Sequence, residues 1–193
     1  MENNRVTNIL LVGVGGQGII VASEIMADVF LEAGYDVKKS EVHGMAQRGG
    51  SVSTHVRFGP KVFSPLIKEG ETDILVAFEE LEAMRYLHYL GPKPTVILNE
   101  QRLNPPSVSL GKDRYPENIA DSLSRRAARF KKLSAKDLAL QAGDIRTLNI
   151  VLLGAASSFL PVAEGVWTEN ILRRFPPKAH KPNLEAFRLG RNA

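Results

Sequence analysis

The sequence predicts an α/β protein: a three-layer, mostly parallel Rossmann-like sheet with helices on both faces. Three observations carry that expectation. The apolar run "NILLVGVGG" passes through glycines straight into helical spacing at Ile19, Ala22, Ile25, Met26, Val29 and Phe30. The runs "DILVAF" and "TVILNE" are short, uninterrupted and apolar, as strands covered on both faces are. Helical periodicity in "EELEAMRYLHYLG" separates them, so strand and helix alternate along the chain.

The elements follow in order. The first helix closes at Gly34, and "YDVKKSEV" reads as a second strand parallel to the first across a right-handed crossover. In "SVSTHVRFG", Val52, Thr54, Val56 and Phe58 alternate with Ser51, Ser53, His55 and Arg57, the period of a strand whose polar face looks onto something. "KVFSPLI" is expected as a short hairpin partner or edge piece, because Pro65 cannot donate to a ladder. "EELEAMRYLHYLG" is expected to be one helix closed by Gly91.

Beyond residue 100, "RLNPPSVSLGKDRYPEN" is a proline-interrupted surface excursion, and "PENIADSLSRRAARF" a helix with Pro116 near its first turn. Ser134 caps "SAKDLALQAG", with Asp137 three residues on. "DIRTLNIVLLGAASSFLP" is apolar on most sides and dense in small residues, which predicts a buried helix approached closely by another backbone. Thr168 is expected to cap "TENILRRF", and "NLEAFRLG" to form a short amphipathic segment.

Composition narrows the function. A length of 193 residues suits a single domain spanning 1–193, and 44% hydrophobic with 24% charged residues is ordinary globular usage. No apolar run approaches the roughly 20 residues of a membrane span. The N-terminus "MENNRVTN" has neither an apolar signal core nor an arginine-rich face, so a cytoplasmic location is expected. Zero cysteines exclude disulfides, a thiol nucleophile and any iron–sulfur cluster held by this chain's own thiolates. The net charge is only +4, with much of the excess in "RRAARFKK". That run reads as a solvated helix face or a dock for an acidic protein, since it lacks interleaved aromatics for stacking bases.

Two motifs carry chemistry. "GVGGQG" places Gly13, Gly15, Gly16, Gln17 and Gly18 between a strand and a helix start, where uncovered amides and the helix dipole attract an anion such as a coenzyme phosphate. Glycine-rich turns also serve packing alone. For a dinucleotide, Glu41 stands 23 residues past Gly18, a tolerable distance for a ribose-binding acid.

Glu41 leads directly into the second motif, "HGMAQRGGS", which crowds the same sheet edge. There Arg48 offers a bidentate fork for a carboxylate or phosphate, Gln47 and His43 offer directional hydrogen bonds, and Met45 an apolar contact. Gly49, Gly50 and Ser51 return the chain to the next strand. No zinc-type ligand spacing joins His43 and His55, and no serine elbow is present, so neither a metal centre nor a serine hydrolase is expected.

"GVGGQGI" followed about 25 residues later by "KKSEVHGMAQRGGSVSTHVRFG" resembles the small (beta) subunits of the indolepyruvate:ferredoxin oxidoreductases. More broadly, it resembles the gamma-type domain of the 2-oxoacid:ferredoxin oxidoreductases. The resemblance extends to "TLNIVLLGAAS" and "NLEAFRLG". It implies oxidative decarboxylation of an aryl 2-oxoacid with coenzyme A, giving an acyl-CoA, carbon dioxide and reduced ferredoxin. Thiamine diphosphate and iron–sulfur clusters would sit on a larger partner subunit, and the family implies a heteromer active only when assembled. No residue of this chain matches a proton-transfer role, so no catalytic residue is expected here. The 13–18 turn and the 41–51 loop are then expected to line a site or grip the partner. A stand-alone NAD-binding protein and a non-catalytic assembly subunit are the alternatives.

Overall fold

A mixed six-stranded sheet is built around β1 (Thr7–Val14), whose uninterrupted apolar run lets it be buried on both faces. A computed structural model describes residues 5–43 and 49–193. β1 feeds α1 (Ile19–Glu32), which buries Ile19, Ala22, Ile25, Met26, Val29 and Phe30, the residues its spacing predicts. Gly34 follows with a φ of 86°, in the left-handed region that ends a helix economically.

β2 (Asp36–His43) comes next, then β3 (Ser51–Gly59), β4 (Thr72–Ala77), β5 (Leu90–Asn99) and β6 (Arg129–Leu133). Their order across the sheet is β2-β3-β1-β4-β5-β6. β1, β4, β5 and β6 pair in parallel, while β3 is antiparallel to both β1 and β2. The mostly parallel α/β expectation holds, with one difference: β2 runs in the direction of β1 but β3 is inserted between them. Hydropathy gives β2 its type and direction but carries no information on its neighbour.

Side-chain alternation divides the apolar residues between two layers. Ile9, Leu11, Ile74, Val76 and Ile97 face one core, shared with α1, α5 (Ala135–Gln141), α6 (Leu148–Ser157), α7 (Glu164–Arg174) and α8 (Pro177–Asn192). Leu10, Val12, Leu75, Val96 and Leu98 face the other, covered by α2 (Glu80–Arg85) and α4 (Ile119–Arg126), while α3 (Pro106–Ser109) is a single exposed turn. In the first layer Phe30 stacks on Phe58 with 3.8 Å between centroids and meets Trp167 edge-on.

The small residues of α6 do what their density predicts. A Cβ on Gly154 would fall on the Phe187 carbonyl of α8, and one on Gly190 on the Val151 carbonyl of α6, so two glycines let these helix backbones touch. Ser134 caps α5 by accepting from the Asp137 amide at 3.4 Å.

Other local expectations are corrected. Residues 60–71 form no strand; they lie over β3, with the Ile67 amide donating to His55 Nδ1 at 3.2 Å and Arg57 donating to the Ser64 and Leu66 carbonyls. This segment is what the polar face of β3 looks at. α2 stops at Arg85, and a 3-10 turn at Leu87–Tyr89 carries the chain into β5, where Pro92 and Pro94 keep it from continuing as helix. Gly91 serves close approach, not a helix cap: its Cβ would sit 2.9 Å from the Thr72 carbonyl. "RRAARFKK" is divided between the end of α4 and β6. α7 begins at Glu164, so Thr168 is internal and donates back to the Gly165 carbonyl. The terminal segment is a sixteen-residue helix. No helix among the described residues is long and apolar enough to cross a membrane.

Candidate functional site at the carboxyl edge of the sheet

The carboxyl ends of β1, β4 and β5 share one edge, and the strand order reverses between β1 and β4, the place where open α/β sheets usually bind ligands. β3 runs the other way, so its first residues arrive at this same edge. Topology therefore brings the two sequence motifs together. The Gly15 amide donates to the Gly50 carbonyl at 2.9 Å, and the Gly49 amide to the Gly15 carbonyl at 3.4 Å. Gly16, Gly18 and Gly49 have φ of 105°, 79° and 77°, conformations that side chains rarely adopt.

Gln17 folds its side chain back over its own turn. Its Oε1 accepts the Val14 amide at 2.6 Å, and its Nε2 donates to the Phe78 carbonyl and to Gln101 Oε1. A Cβ on Gly13 would stand 2.5 Å from Gln17 Oε1, so the first glycine makes room for this side chain. Asn99 continues the network, donating to Phe78 and Gln101 and accepting the Ala135 amide at 3.0 Å. The Gln17 amide itself donates to Val14. Three amides of the turn, at Val14, Gly15 and Gln17, thus have partners within the chain. Gly18 is crowded by Asn149, whose Nδ2 donates to the Gly18 carbonyl and ties the start of α1 to α6.

Three acids follow β4 at this edge. Glu79, only 1% exposed, accepts the Glu82 amide, the Leu103 amide and the Tyr115 hydroxyl, a full set of donors that also caps α2. Glu80 is held by Arg102 at 2.7 Å. Glu82, 5% exposed, accepts the Ser51 hydroxyl and pairs with Arg85 at 3.2 Å. Burial pushes the Glu82 carboxyl above its ordinary range, while Ser51 and Arg85 pull it down and Glu79 adds repulsion. The root of the 44–50 loop is consequently fixed from two sides, by the glycine turn through Gly15 and by α2 through Glu82.

The predicted residues divide accordingly. Gly13, Gly15, Gly16, Gln17, Gly18, Gly49, Gly50 and Ser51 converge on one edge. Glu41 does not join the turn: it lies on β2, two strand positions or roughly 9–10 Å from β1, and pairs with Lys39 at 2.7 Å. Glu41 therefore does not end a strand next to β1, where a ribose-binding acid would stand. His43 ends β2, and Met45, Gln47 and Arg48 lie outside the described residues.

Glu79, Glu82, Asn99, Gln101 and Asn149 escaped sequence reasoning. The signal for the first four was available, since each follows or ends a buried strand at the carboxyl edge; Asn149 carried none, because its contact spans 131 positions.

Comparison with known proteins decides the family. A model of the family described as pyruvate ferredoxin/flavodoxin oxidoreductase matches residues 8–193. The chain belongs to that family. Among its relatives, the indolepyruvate oxidoreductase subunit IorB of Thermococcus kodakarensis is 40% identical over 190 residues, covering 95% of this chain and 93% of the relative. The fold matches a pyruvate oxidoreductase subunit of Thermotoga maritima with a TM-score of 0.74 at 21% identity, over 97% of this chain and 96% of that one. It also matches 31% of a longer chain, the 2-oxoglutarate:ferredoxin oxidoreductase of Magnetococcus marinus, solved with 2-oxoglutarate, coenzyme A and succinyl-CoA bound; the TM-score is 0.73 at 21% identity over 97% of this chain. The chain is thus a subunit of the pyruvate ferredoxin/flavodoxin oxidoreductase type. In this member the glycine turn engages the chain's own loop.

Proposed function

We propose that this chain works as one gamma-type domain in a cytoplasmic complex that oxidatively decarboxylates aryl 2-oxoacids of the indolepyruvate kind. The 2-oxoacid and coenzyme A give an acyl-CoA, carbon dioxide and a proton, and two electrons leave one at a time to ferredoxin. Thiamine diphosphate, which supplies the carbanion chemistry, and the iron–sulfur clusters that take the electrons belong to a larger partner subunit. This chain has no cysteine to hold a cluster.

One observation supports the reading most: the Gly15–Gly50 hydrogen bond pins the root of the 44–50 loop at the carboxyl edge of the sheet. A loop so anchored can lean toward a partner's active centre without losing its register. Arg48 is proposed to pair with an anionic group of substrate or coenzyme, His43 and Gln47 to orient it, and Met45 to supply apolar contact. The 13–18 turn acts as the anchor.

Anaerobic purification of the tagged chain from its native host tests the proposal. A brown, larger partner should copurify, and the complex should reduce a viologen dye in the presence of indolepyruvate and coenzyme A. Arg48→Ala should lower that activity or raise the requirement for one anionic substrate without unfolding the chain. A chain recovered alone, or unchanged kinetics in an assembled Arg48→Ala complex, contradicts the proposal.

A further inference from the structure

The basic run at residues 125–132 has no task in the function proposed above. It holds five cations, and the structure distributes them over the end of α4 and the strand β6. β6 is the last strand of the sheet and, among the described residues, pairs only with β5. The Leu133 carbonyl accepts the Glu100 amide at the end of β5, and in the parallel register Arg129 and Lys131 turn inward with it, so alternation leaves the amides and carbonyls of Phe130 and Lys132 on the open side.

Arg129 and Lys131 also share one face. Both lie over the Phe159 ring, at 6.0 and 5.7 Å from its centroid. No described carboxylate lies within ion-pair distance of either, whereas neighbouring Lys132 is held by Glu100 at 2.6 Å. Burial pushes the Lys131 ammonium below its ordinary range, and the charge of Arg191 pushes it further the same way. Arg191, on α8, is itself anchored by Ser157 and Glu164. Like charges gathered beside an unpaired strand edge, partly desolvated, are at their best when an anion joins them.

We infer that the open edge of β6 accepts an extended acidic segment of the partner subunit, added as a seventh strand. Its backbone pairs with the free amides and carbonyls of Phe130 and Lys132, beside the side chains of Arg129 and Lys131. Its alternate side chains, spaced two residues apart, place carboxylates on those two cations. Lysine on an edge strand discourages indiscriminate pairing. The same charges leave an acidic strand as the matching partner, so the edge is both guarded and selective. This assignment rests on the subunit reading given above, but it concerns a different surface from the 41–51 loop.

Hydrogen exchange followed by mass spectrometry on the isolated chain and on the complex with its large subunit tests the inference. The peptide covering Arg129–Leu133 should exchange more slowly in the complex. The double charge reversal Arg129→Glu with Lys131→Glu should abolish that protection and weaken assembly by about tenfold at low salt, with a shallower salt dependence. Lys132→Gln, which touches a cation already paired, should assemble like the wild type. An intact complex whose β6 peptide is unprotected overturns the edge assignment, as does a charge-reversed chain that assembles normally. Equal protection of the isolated chain by inorganic phosphate alone overturns it in favour of a small anion. Failure of any complex to form contradicts the subunit reading itself.

Discussion

The Gly15 amide and the Gly50 carbonyl meet at 2.9 Å, joining two glycine-bearing segments that lie 35 positions apart. Each segment alone has the residues to bind an anion. Joined, they form an anchor and the thing anchored, because β3 enters the sheet antiparallel beside β1 and delivers its first residues to the glycine turn.

Gln17→Ala should destabilise the chain by about 1–3 kcal/mol, since it leaves the Val14 amide without its acceptor and opens a void over Gly13. Urea unfolding measures this. An unchanged midpoint would mean that the amide finds another partner.

Glu82→Gln should raise stability at pH 7 while lowering turnover of the assembled enzyme. A carboxyl whose folded pKa is raised stabilises the fold while protonated, below its ordinary value of 4.5, and that contribution is lost as pH rises through the folded value. Glutamine removes the buried charge, so its advantage at pH 7 should shrink on acidification. Turnover should fall because Ser51 loses a charged acceptor at the loop root. Thermal melts at pH 5 and pH 7, with viologen assays beside them, check both parts; a variant less stable than wild type at pH 7 contradicts the reading of Glu82.

His55 should make stability fall on mild acidification. Burial holds its imidazole below the ordinary 6.5, helped by the charge of Arg57, and Nδ1 must stay unprotonated to accept the Ile67 amide. The unfolded chain takes up the proton first, so stability is complete above pH 6.5 and declines below it. His55→Asn should lose part of that decline, as followed by denaturant midpoints between pH 5 and pH 8.

Thr54→Val should stabilise the chain by about 1 kcal/mol, because the Thr54 hydroxyl is buried on the helix-covered face of β3 and has no hydrogen-bond partner among the described residues. A shift of the thermal midpoint upward by a few degrees is the expected signature. A lowered midpoint would point to a polar contact for this hydroxyl.

Much of this arrangement was legible from the sequence, for reasons that can be named. β1 and α1 follow from local hydropathy and a glycine stop, and the burial of α6 under a close backbone from its small residues, though not that α8 is the element that approaches it. Strand order was not legible: nothing in "YDVKKSEV" reveals that β3 comes between β2 and β1, and that insertion is what removes Glu41 from the glycine turn. β6 was hidden because "RFKKL" has the charge of a solvated helix face and becomes a strand only by pairing with β5. The glycine fingerprint itself was ambiguous, since its meaning turns on where the Gln17 side chain goes, a tertiary fact. Phe78 and Gln101 hold that side chain from 61 and 84 positions away.

The most direct test of the anchoring role is the exchange rate of the Gly15 amide in the isolated, isotope-labelled chain, read by NMR with and without NADH. Slow exchange at Gly15, unaltered and without saturable shifts as NADH is added to millimolar levels, is the expected result. Rapid exchange at Gly15, or shifts across residues 13–18 that saturate with NADH, would contradict it and mark the glycine turn as a dinucleotide site.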